Sequence, residues 1–231
     1  MQKPFQINRA YKEVQQITVA VDCLIFGFNE GKLELLLVRR GFEPERDRFS
    51  LIGGFVHNEE GLDEAAHRVL SELTGLEDVY MEQVRTFGKA NRDPYERVLS
   101  VTYSALVLKE NYNDELVNSY KAEWFPIDNL PELIFDHKDM IESAMRRLRR
   151  RIKTGPVGFN LLPEKFTLPQ LQKLYEAILG EEIDKRNFRK KLHAMDFLIR
   201  LEEKDKSESK KGAFLYRFDE DKYNGVKNFS I

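Results

Sequence analysis

Cysteine is nearly absent from this sequence, since Cys23 is the only one in 231 residues. The chain can therefore form no internal disulfide and no cysteine-based zinc site. Cys23 lies in the apolar run ITVAVDCLIFGF, which favours a place in the core over a nucleophilic role. Long hydrophobic runs are lacking too: none approaches the length that crosses a membrane, and no signal peptide is recognisable. We therefore expect a cytoplasmic protein that makes no membrane contact.

Charge is unevenly divided along the chain, although the formal net charge is only -2. Residues 1–143 contain 16 Lys and Arg against 26 Asp and Glu, which gives −10. Residues 144–231 contain 21 Lys and Arg against 13 Asp and Glu, which gives +8. This asymmetry favours a two-part molecule whose C-terminal part meets a polyanion. Solvated surface charge on a helical domain is the alternative that composition leaves open.

The segment 54–76, GFVHNEEGLDEAAHRVLSELTGL, contains the most informative motif. It resembles the Nudix box, Gly-x5-Glu-x7-Arg-Glu-U-x-Glu-Glu-x-Gly-U, where U is a bulky apolar residue. Val69 and Leu73 occupy positions where the motif has glutamate, so the box is degenerate. The residues that match the motif are Gly54, Glu60, Arg68, Leu70, Glu72, Gly75 and Leu76.

The degenerate positions matter for metal binding. Residues 69, 72 and 73 have the spacing of side chains that project from one face of a helix. Three carboxylates there would suit Mg²⁺ bound to a pyrophosphate, but here Glu72 lies between two hydrocarbons. We therefore expect a Nudix fold without a metal, a cofactor or catalytic residues.

Glu60 and Arg68 are expected to form an ion pair. An ordinary amphipathic helix that matches by chance is the alternative.

The pattern of elements predicts an α+β fold in two domains, residues 1–153 and residues 154–231. β-Branched and aromatic residues indicate the strands of the first domain. Its long second helix is expected to run from Asp136, the predicted N-cap, to about Ile152, where a Gly-Pro pair breaks it. The expected strands are 17–28, 33–40, 50–52, 84–89, 97–108 and one that ends at 124–126, and the helix of the box is expected to begin at about Leu62.

The second domain has the pattern of a helix, a tight turn and a basic second helix. The first helix is expected to start at Thr167 or Leu168 and to end at Gly180. Asp184 is the predicted N-cap of the second helix, residues 185–193. The buried stripe of the first helix is expected to consist of Leu171, Leu174, Tyr175 and Ile178.

This order predicts a winged helix-turn-helix, in which the second helix enters the major groove of double-stranded DNA and the wing lies along phosphate. The wing is the hairpin between predicted strands 197–201 and 213–218. A cationic solvated helix in a protein-interaction domain is the alternative. The predicted DNA contacts are Lys185, Arg186, Asn187, Arg189, Lys190 and His193 on the helix, and Lys204, Lys206, Lys210 and Lys211 on the wing.

With both parts in view, the chain resembles the Nudix-related transcriptional regulators over nearly its whole length. The resemblance lies in LLLVRRGFEPERDRFSLIGGFV, NRDPYERVLSVTYSALV, WFPIDNLPELIFDHKDMI and LPEKFTLPQLQKLYEAILGEEIDKRNFRKKL. It implies an N-terminal Nudix α/β/α sandwich that senses an effector, followed by a DNA-binding winged helix, usually in a dimer. The best-known members respond to ADP-ribose and control NAD metabolism, and a second branch responds to arabinose and controls its utilisation.

Two departures from the family pattern bear on the choice of branch. Loss of the carboxylates at Val69 and Leu73 removes the group that would hold a pyrophosphate through Mg²⁺. ADP-ribose-handling relatives have Arg-Asp-Pro-Arg-Gly-Arg where this chain has Arg-Asp-Pro-Tyr-Glu-Arg, so Tyr95 replaces a cation and Glu96 replaces glycine. Both departures favour a small neutral sugar, and by analogy L-arabinose, as the effector.

The leading hypothesis is therefore a homodimeric DNA-binding regulator, expected to be a repressor, whose inactive Nudix domain senses a sugar. The alternatives are an ADP-ribose-responsive regulator of NAD metabolism, an active Nudix pyrophosphohydrolase, and a silent module that contacts RNA or protein. A hydrolase would need a non-standard metal site, for which the candidates are Glu59, Glu60, Glu64 and Glu72. Polar groups beside an aromatic face suit a sugar, and the expected effector contacts are Arg40, Asp93, Tyr95, Arg97 and Trp124.

Overall fold

The computed structural model describes residues 16–111, 121–155, 157–193, 197–207, 211–219 and 222. None of the helices in these ranges is long and apolar enough to cross a membrane. The N-terminal elements are, in order, β1 (Thr18–Asn29), β2 (Lys32–Arg39), β3 (Phe49–Ser50), β4 (Ile52–Phe55), α1 (Leu62–Thr74), β5 (Glu82–Phe87), β6 (Val98–Val107), a 3-10 helix (Lys109–Asn111), β7 (Ala122–Pro126) and α2 (His137–Thr154). The strands form one mixed sheet of order β3-β2-β1-β6-β5, in which β4 pairs with β1 and β7 pairs with β2.

The sheet lies between α1 and α2, and the side chains of β1 alternate between its two faces. Val21, Cys23 and Ile25 belong to the core cluster that includes α1, whereas Leu24 and Phe26 belong to the cluster that includes α2. β1 is buried on both faces because α1 and α2 pack on opposite sides of the sheet, and its two edges pair with β6 in parallel and with β2 in antiparallel orientation. These positions confirm the predicted sandwich and the core location of Cys23.

The single strand predicted at 50–52 is wrong, because the chain changes its pairing partner at Leu51. β3 pairs with β2, and β4 pairs with β1, so the ladder is interrupted between them. The Leu51 N–H donates instead to Nδ1 of His137, at 3.1 Å. β5 also differs from the prediction at 84–89, since it begins at Glu82 and ends at Phe87.

Asp136 precedes α2, as predicted, but its side chain makes no capping hydrogen bond. Its carboxylate accepts instead from the Arg92 guanidinium, at 2.7 Å. The backbone carbonyl of Asp136 accepts from the Met140 N–H at 3.2 Å and so begins the helix. Asp136 is therefore the N-cap residue of α2, as predicted, but its carboxylate does not cap the helix, because a charged partner that is distant in sequence takes it.

The C-terminal part contains the winged helix. Its sheet includes one short strand, β8, that sequence analysis missed: three residues are too few to show a strand pattern, and the pairing with β10 defines it. The predicted strand at 197–201 extends further, to Asp205. The elements are a 3-10 helix (Phe159–Leu161), β8 (Lys165–Thr167), α3 (Leu168–Leu179), α4 (Lys185–His193), β9 (Leu198–Asp205) and β10 (Ala213–Phe218), with sheet order β8-β10-β9.

Capping hydrogen bonds and a left-handed glycine lie at the predicted ends of α3 and the predicted start of α4. Thr167 Oγ1 accepts from the Gln170 N–H at 3.3 Å, and Gln170 Oε1 accepts from the Thr167 N–H at 2.7 Å. Gly180 ends α3 with φ 75°, in the left-handed region that glycine adopts without strain. Asp184 Oδ1 accepts from the Asn187 N–H at 2.8 Å, as an N-cap does. Local sequence thus determines the ends of α3 and the start of α4 in the helix-turn-helix.

The helices α2 and α3 pack against each other and join the two parts of the molecule. Leu148 and Ile152 of α2 belong to the same core cluster as the apolar stripe of α3. Arg149 Nε donates to the Ile178 carbonyl at 2.9 Å. The hydrophobic core contains residues from both sides of residue 153, so packing marks no boundary there. The predicted domain division at this residue therefore stays a prediction. The stripe of α3 consists, as predicted, of the buried Leu171, Leu174, Tyr175 and Ile178.

The helix of the box, α1, comes very close to β4 at Gly54. A Cβ at position 54 would lie 2.8 Å from Cγ2 of Val69, which is closer than side-chain carbons pack. Val69 is only 2% exposed and contributes to the core cluster that includes α1. The glycine is therefore needed for the close approach of helix and strand.

Replacing Gly54 with alanine is expected to lower the free energy of unfolding by about 1–3 kcal/mol, because the new methyl group overpacks against Val69. Urea denaturation measures the change. Gly41→Ala is the matched control, since nothing lies within 4 Å of a Cβ at that position. Val69→Ala makes room for the methyl group. The double variant Gly54→Ala/Val69→Ala should therefore lose less free energy of unfolding than the two single variants lose in sum. Equal stability of the two alanine variants at Gly54 and Gly41 would contradict this packing.

Candidate ligand site and nucleic-acid interface

A buried ion pair lies at the end of the sheet where α2 begins. The Arg92 side chain is 3% exposed, and its Nη2 donates to Oδ1 of Asp136 at 2.7 Å. Its Nε lies 3.1 Å from each carboxylate oxygen of Asp136. The same Nη2 is 3.8 Å from Oδ2 of Asp22. One guanidinium therefore connects the 88–97 loop to the start of α2 and to β1.

Asp22 forms the other half of this buried network. Its Oδ2 accepts from Ser100 Oγ at 2.5 Å, and its Oδ1 lies 3.7 Å from Nε2 of His137. Burial lowers the pKa of His137, so the ring is neutral at pH 7 and its Nδ1 can accept from the Leu51 N–H. Ser100 bonds to the carboxylate rather than to the histidine, so these side chains lack the geometry of a nucleophilic triad. The network instead fixes the position at which α2 starts.

Three of the predicted effector residues lie together beside this network. Burial lowers the pKa of Arg40, and the carboxylates of Asp93 and Asp22 oppose that shift. Asp93 Oδ1 accepts from the Tyr95 N–H at 2.8 Å. The Tyr95 side chain is 61% exposed. The group offers a cation, a carboxylate and an open aromatic face to a ligand.

Three further side chains belong to this group and were missed by sequence analysis. The Arg40 guanidinium lies 4.1 Å from the centroid of the exposed Phe42 ring. The Tyr95 hydroxyl donates to Glu45 Oε1 at 3.2 Å, and the Tyr95 ring meets Phe135 at a centroid distance of 6.4 Å. Phe135 has φ 51°, a left-handed conformation that a bulky residue rarely adopts. Loops distant in sequence make these contacts, so only the nearness of Phe42 to Arg40 could have been read from the sequence.

The structure places the other two predicted effector residues differently. The Arg97 guanidinium donates to the carbonyls of Gly88 at 3.2 Å and Lys89 at 3.4 Å, so it holds the 88–97 loop together. Trp124 pairs with Leu36 across β7 and β2, and both belong to the core cluster that includes α1. Trp124 therefore lies on the face of the sheet opposite to the Arg92 network. Whether any of these residues binds an effector stays a prediction.

Among the residues that match the box motif, Arg68, Glu60 and Glu72 form an arginine–carboxylate cluster. Arg68 donates from Nε to Glu60 Oε2 at 2.8 Å and from Nη2 to Glu60 Oε1 at 2.5 Å, which confirms the predicted ion pair. Arg68 also donates to Glu72 Oε2 at 3.0 Å and to the Phe55 carbonyl at 3.0 Å. The hydrogen bonds from Arg68 lower the pKa of Glu60 to about 2. Two of the carboxylates in the box are thus already paired within the protein.

Positions 69, 72 and 73 lie on α1, as predicted, but only Glu72 among them reaches far into solvent. Val69 is buried, Leu73 packs against the same core cluster, and the Glu72 side chain remains 59% exposed. Glu64 Oε2 accepts from the Gly61 N–H at 2.8 Å, at the start of α1. Within the described ranges, no group of three or more His, Cys, Asp or Glu is arranged to hold a metal ion. The predicted lack of hydrolase activity stays a prediction.

The basic helix α4 is anchored by its apolar side. Phe188 is 1% exposed and Leu192 is 2% exposed, and both belong to the core cluster shared with α3. This orientation leaves the charged side of α4 facing out, next to a cleft of about 610 Å³ between the start of α3, α4 and β10. Lys185, Arg189 and His193 line the cleft, and the other exposed predicted contacts are Arg186, Asn187 and Lys190.

The predicted wing lies between β9 and β10, beside this cleft. Lys204 Nζ is 4.4 Å from the centroid of the Phe214 ring, and Phe214 also lines the cleft. Lys206 and Lys211 are exposed near the tip of the hairpin. Lys210 lies outside the described residues. Helix α4 and the wing therefore present positive charge around one cleft, which suits a polyanionic backbone.

Comparisons with known proteins agree with both parts of this architecture. The NUDIX domain model matches residues 16–147, and the model described as the NrtR DNA-binding winged helix domain matches residues 158–218. The ADPR responsive transcriptional repressor NtrR of Acinetobacter baylyi is 35% identical over 206 residues, which cover 87% of this chain and 81% of that protein.

Two solved structures of Shewanella oneidensis NrtR are also similar. The complex with a 27mer DNA has a TM-score of 0.78 at 31% identity, and the match covers 89% of this chain and 95% of that chain. The NUDIX domain complexed with ADP ribose has a TM-score of 0.52 at 29% identity, with 61% of this chain and 94% of that chain covered. Because both domain models match in order and one relative matches across both domains, the chain belongs to the NrtR family of Nudix-related transcriptional regulators, with a Nudix domain and a DNA-binding winged helix.

Proposed function

We propose that this protein is a transcriptional repressor that binds operator DNA through its winged helix and responds to ADP-ribose through its Nudix domain. The observation that carries the proposal is the match to the ADPR responsive repressor of Acinetobacter baylyi, 35% identical over 206 residues. That match includes the effector domain as well as the DNA-binding domain. The NUDIX domain that binds ADP ribose in Shewanella oneidensis NrtR supports the same effector.

The sugar expectation gives way to its ADP-ribose alternative, since the comparisons do not support arabinose. Loss of metal carboxylates at Val69 and Leu73 removes a means of hydrolysis, but it does not remove every means of binding a diphosphate. A guanidinium can hold phosphate oxygens directly with two parallel hydrogen bonds. A sensor also benefits from leaving its effector intact. The degenerate box is therefore compatible with ADP-ribose as a ligand.

The group around Arg40 suits the chemistry of this effector. The Arg40 guanidinium provides the positive charge for the diphosphate, and the exposed rings of Phe42 and Tyr95 offer faces for adenine to stack on. Asp93 supplies a carboxylate for ribose hydroxyl groups. The negative charge of Glu96 was the reason to expect that a nucleotide is disfavoured. Its carboxylate accepts a hydrogen bond from the Thr18 hydroxyl at 3.0 Å, so part of its hydrogen-bonding capacity is used within the protein.

The winged helix would act on DNA in the usual manner of its fold. α4 would enter the major groove, and the wing lysines would contact phosphates. A homodimer would place two α4 helices about one helical turn of DNA apart on a pseudo-palindromic operator. ADP-ribose would then change the affinity of this dimer for its operator.

Arg186→Ala and Arg189→Ala are each expected to weaken binding to an operator duplex by about 1–3 kcal/mol, because α4 loses a charged contact to DNA. A lost phosphate contact should also lower the slope of log affinity against log salt by about 1. Gel shifts at several salt concentrations measure both, with a duplex selected from random DNA by the full-length protein. Lys138→Ala on α2 is the control, since it removes one exposed charge outside the winged helix. Wild-type affinity in both arginine variants would overturn the assignment of α4.

ADP-ribose is expected to raise the Tm of the full-length protein, by an amount that corresponds to about 2.7 kcal/mol at 100 times its Kd. Thermal shift with ADP-ribose, AMP, ribose 5-phosphate and L-arabinose measures the selectivity. Arg40→Ala should abolish the shift, because it removes the proposed diphosphate contact. Arg46→Ala, on the same loop but paired with Glu43 and 56% exposed, is the matched control. A shift with L-arabinose and none with ADP-ribose would restore the sugar hypothesis.

The full-length protein is expected to leave ADP-ribose intact in the presence of Mg²⁺ or Mn²⁺, because Glu60 and Glu72 are paired with Arg68 and Val69 is buried. Chromatography for AMP and ribose 5-phosphate, the two products of water attack on the diphosphate, measures this. Release of both products by the wild type, abolished in Glu72→Gln, would establish hydrolase activity instead.

A further inference from the structure

We propose that Arg92 is the positioning residue through which the effector site controls the winged helix, with the Arg92–Asp136 ion pair as the movable contact. The proposal rests on the function proposed above, since it assumes that ADP-ribose binds beside Asp93 and Tyr95. Arg92 itself is 3% exposed and makes its contacts inside the protein, so it acts through Asp136 rather than on the effector.

The first step is the place of Arg92 in the 88–97 loop. Its neighbour Asp93 accepts from the Tyr95 N–H and interacts with Arg40 on the open side of the loop. The Arg92 side chain points to the buried side and donates to Asp136 through Nε and Nη2. In the proposed mechanism an effector that draws Asp93 or Tyr95 toward itself pulls on the backbone that carries the Arg92 guanidinium.

The second step is the choice of partners that Arg92 has. Nη2 lies 2.7 Å from Oδ1 of Asp136 and 3.8 Å from Oδ2 of Asp22. Asp22 is buried and Asp136 is half-buried at the edge of the core. An unpaired charge in either place is costly. A small shift of the guanidinium would exchange Asp136 for Asp22 as its nearer partner. In the proposed mechanism effector binding causes this shift, and a change between two discrete contacts transmits small displacements.

The third step is the path from Asp136 to the DNA-binding surface. Asp136 immediately precedes α2, whose 18 residues span about 27 Å at 1.5 Å per residue. At the other end of α2, Arg149 Nε donates to the Ile178 carbonyl of α3, at 2.9 Å. Tyr175 of α3 then packs on Phe188 of α4, with a centroid distance of 5.5 Å. A displacement at the start of α2 therefore reaches α4 through packed helices.

Arg92→Lys tests the proposal, because lysine keeps the charge but loses the two-pronged contact with Asp136. Calorimetry gives the affinity for ADP-ribose, and gel shifts on the selected duplex give operator affinity with and without saturating ADP-ribose. The ratio of the two operator affinities is the coupling, typically about 5–150-fold in allosteric proteins. We expect it to fall to less than about twofold in Arg92→Lys, with the affinity for ADP-ribose and the operator affinity without ADP-ribose both close to wild type. Arg85→Lys, at an exposed arginine of β5, should keep the wild-type ratio.

A second variant, Asp136→Asn, removes the charge on the other side of the contact and should lose coupling to the same extent. A wild-type coupling ratio in a folded Asp136→Asn variant would overturn the shared-contact proposal. This second variant also keeps the proposal testable if Arg92→Lys folds poorly.

The outcomes separate this inference from the function on which it rests. A wild-type protein whose operator affinity ignores ADP-ribose overturns both. A wild-type protein that responds, with an Arg92→Lys variant that responds equally, overturns the inference alone. Loss of ADP-ribose affinity in Arg92→Lys also overturns it, because Arg92 would then be a ligand contact.

Discussion

The packing of α2 between the central sheet and α3 is the constraint on which the rest of the molecule depends. Met140, Met145 and Ile152 of α2 share one core cluster with β1, β2 and α3. Burial of this apolar surface is the main favourable term in folding, so the two parts cannot separate without exposing it. The candidate ligand site at one end of α2 and the winged helix near the other are therefore connected through packed side chains.

Buried charges decide where α2 begins. Arg92, Asp22 and Asp136 lie at the edge of an apolar core, where each charge would be costly alone and is tolerated because it is paired. The neutral His137 adds a hydrogen bond to the Leu51 N–H at the break between β3 and β4. One polar network thus supports the interruption of the sheet, the start of α2 and the loop that carries the candidate ligand residues.

Most of the fold was predictable because its signals are local. The β-branched run at β1, the capping box at Thr167 and the glycine that ends α3 each determine structure within a few residues. What was missed depends on pairing partners: β8 exists through β10, and the strand break at Leu51 exists because β3 and β4 pair with different strands. The candidate site was predicted only in part, since Arg40, Asp93 and Tyr95 come together whereas Trp124 lies on the other face of the sheet.

The sequence by itself determined the degenerate box, the separation of charge between the two parts and the amphipathic helices of the winged helix. These follow from residue type and spacing, which act over one or two helical turns. Only the tertiary structure decided which charges are buried and which carboxylate Arg92 holds. Its partner Asp136 is 44 residues away, and at that separation the packing of the sheet against α2, rather than the local pattern, selects the contact.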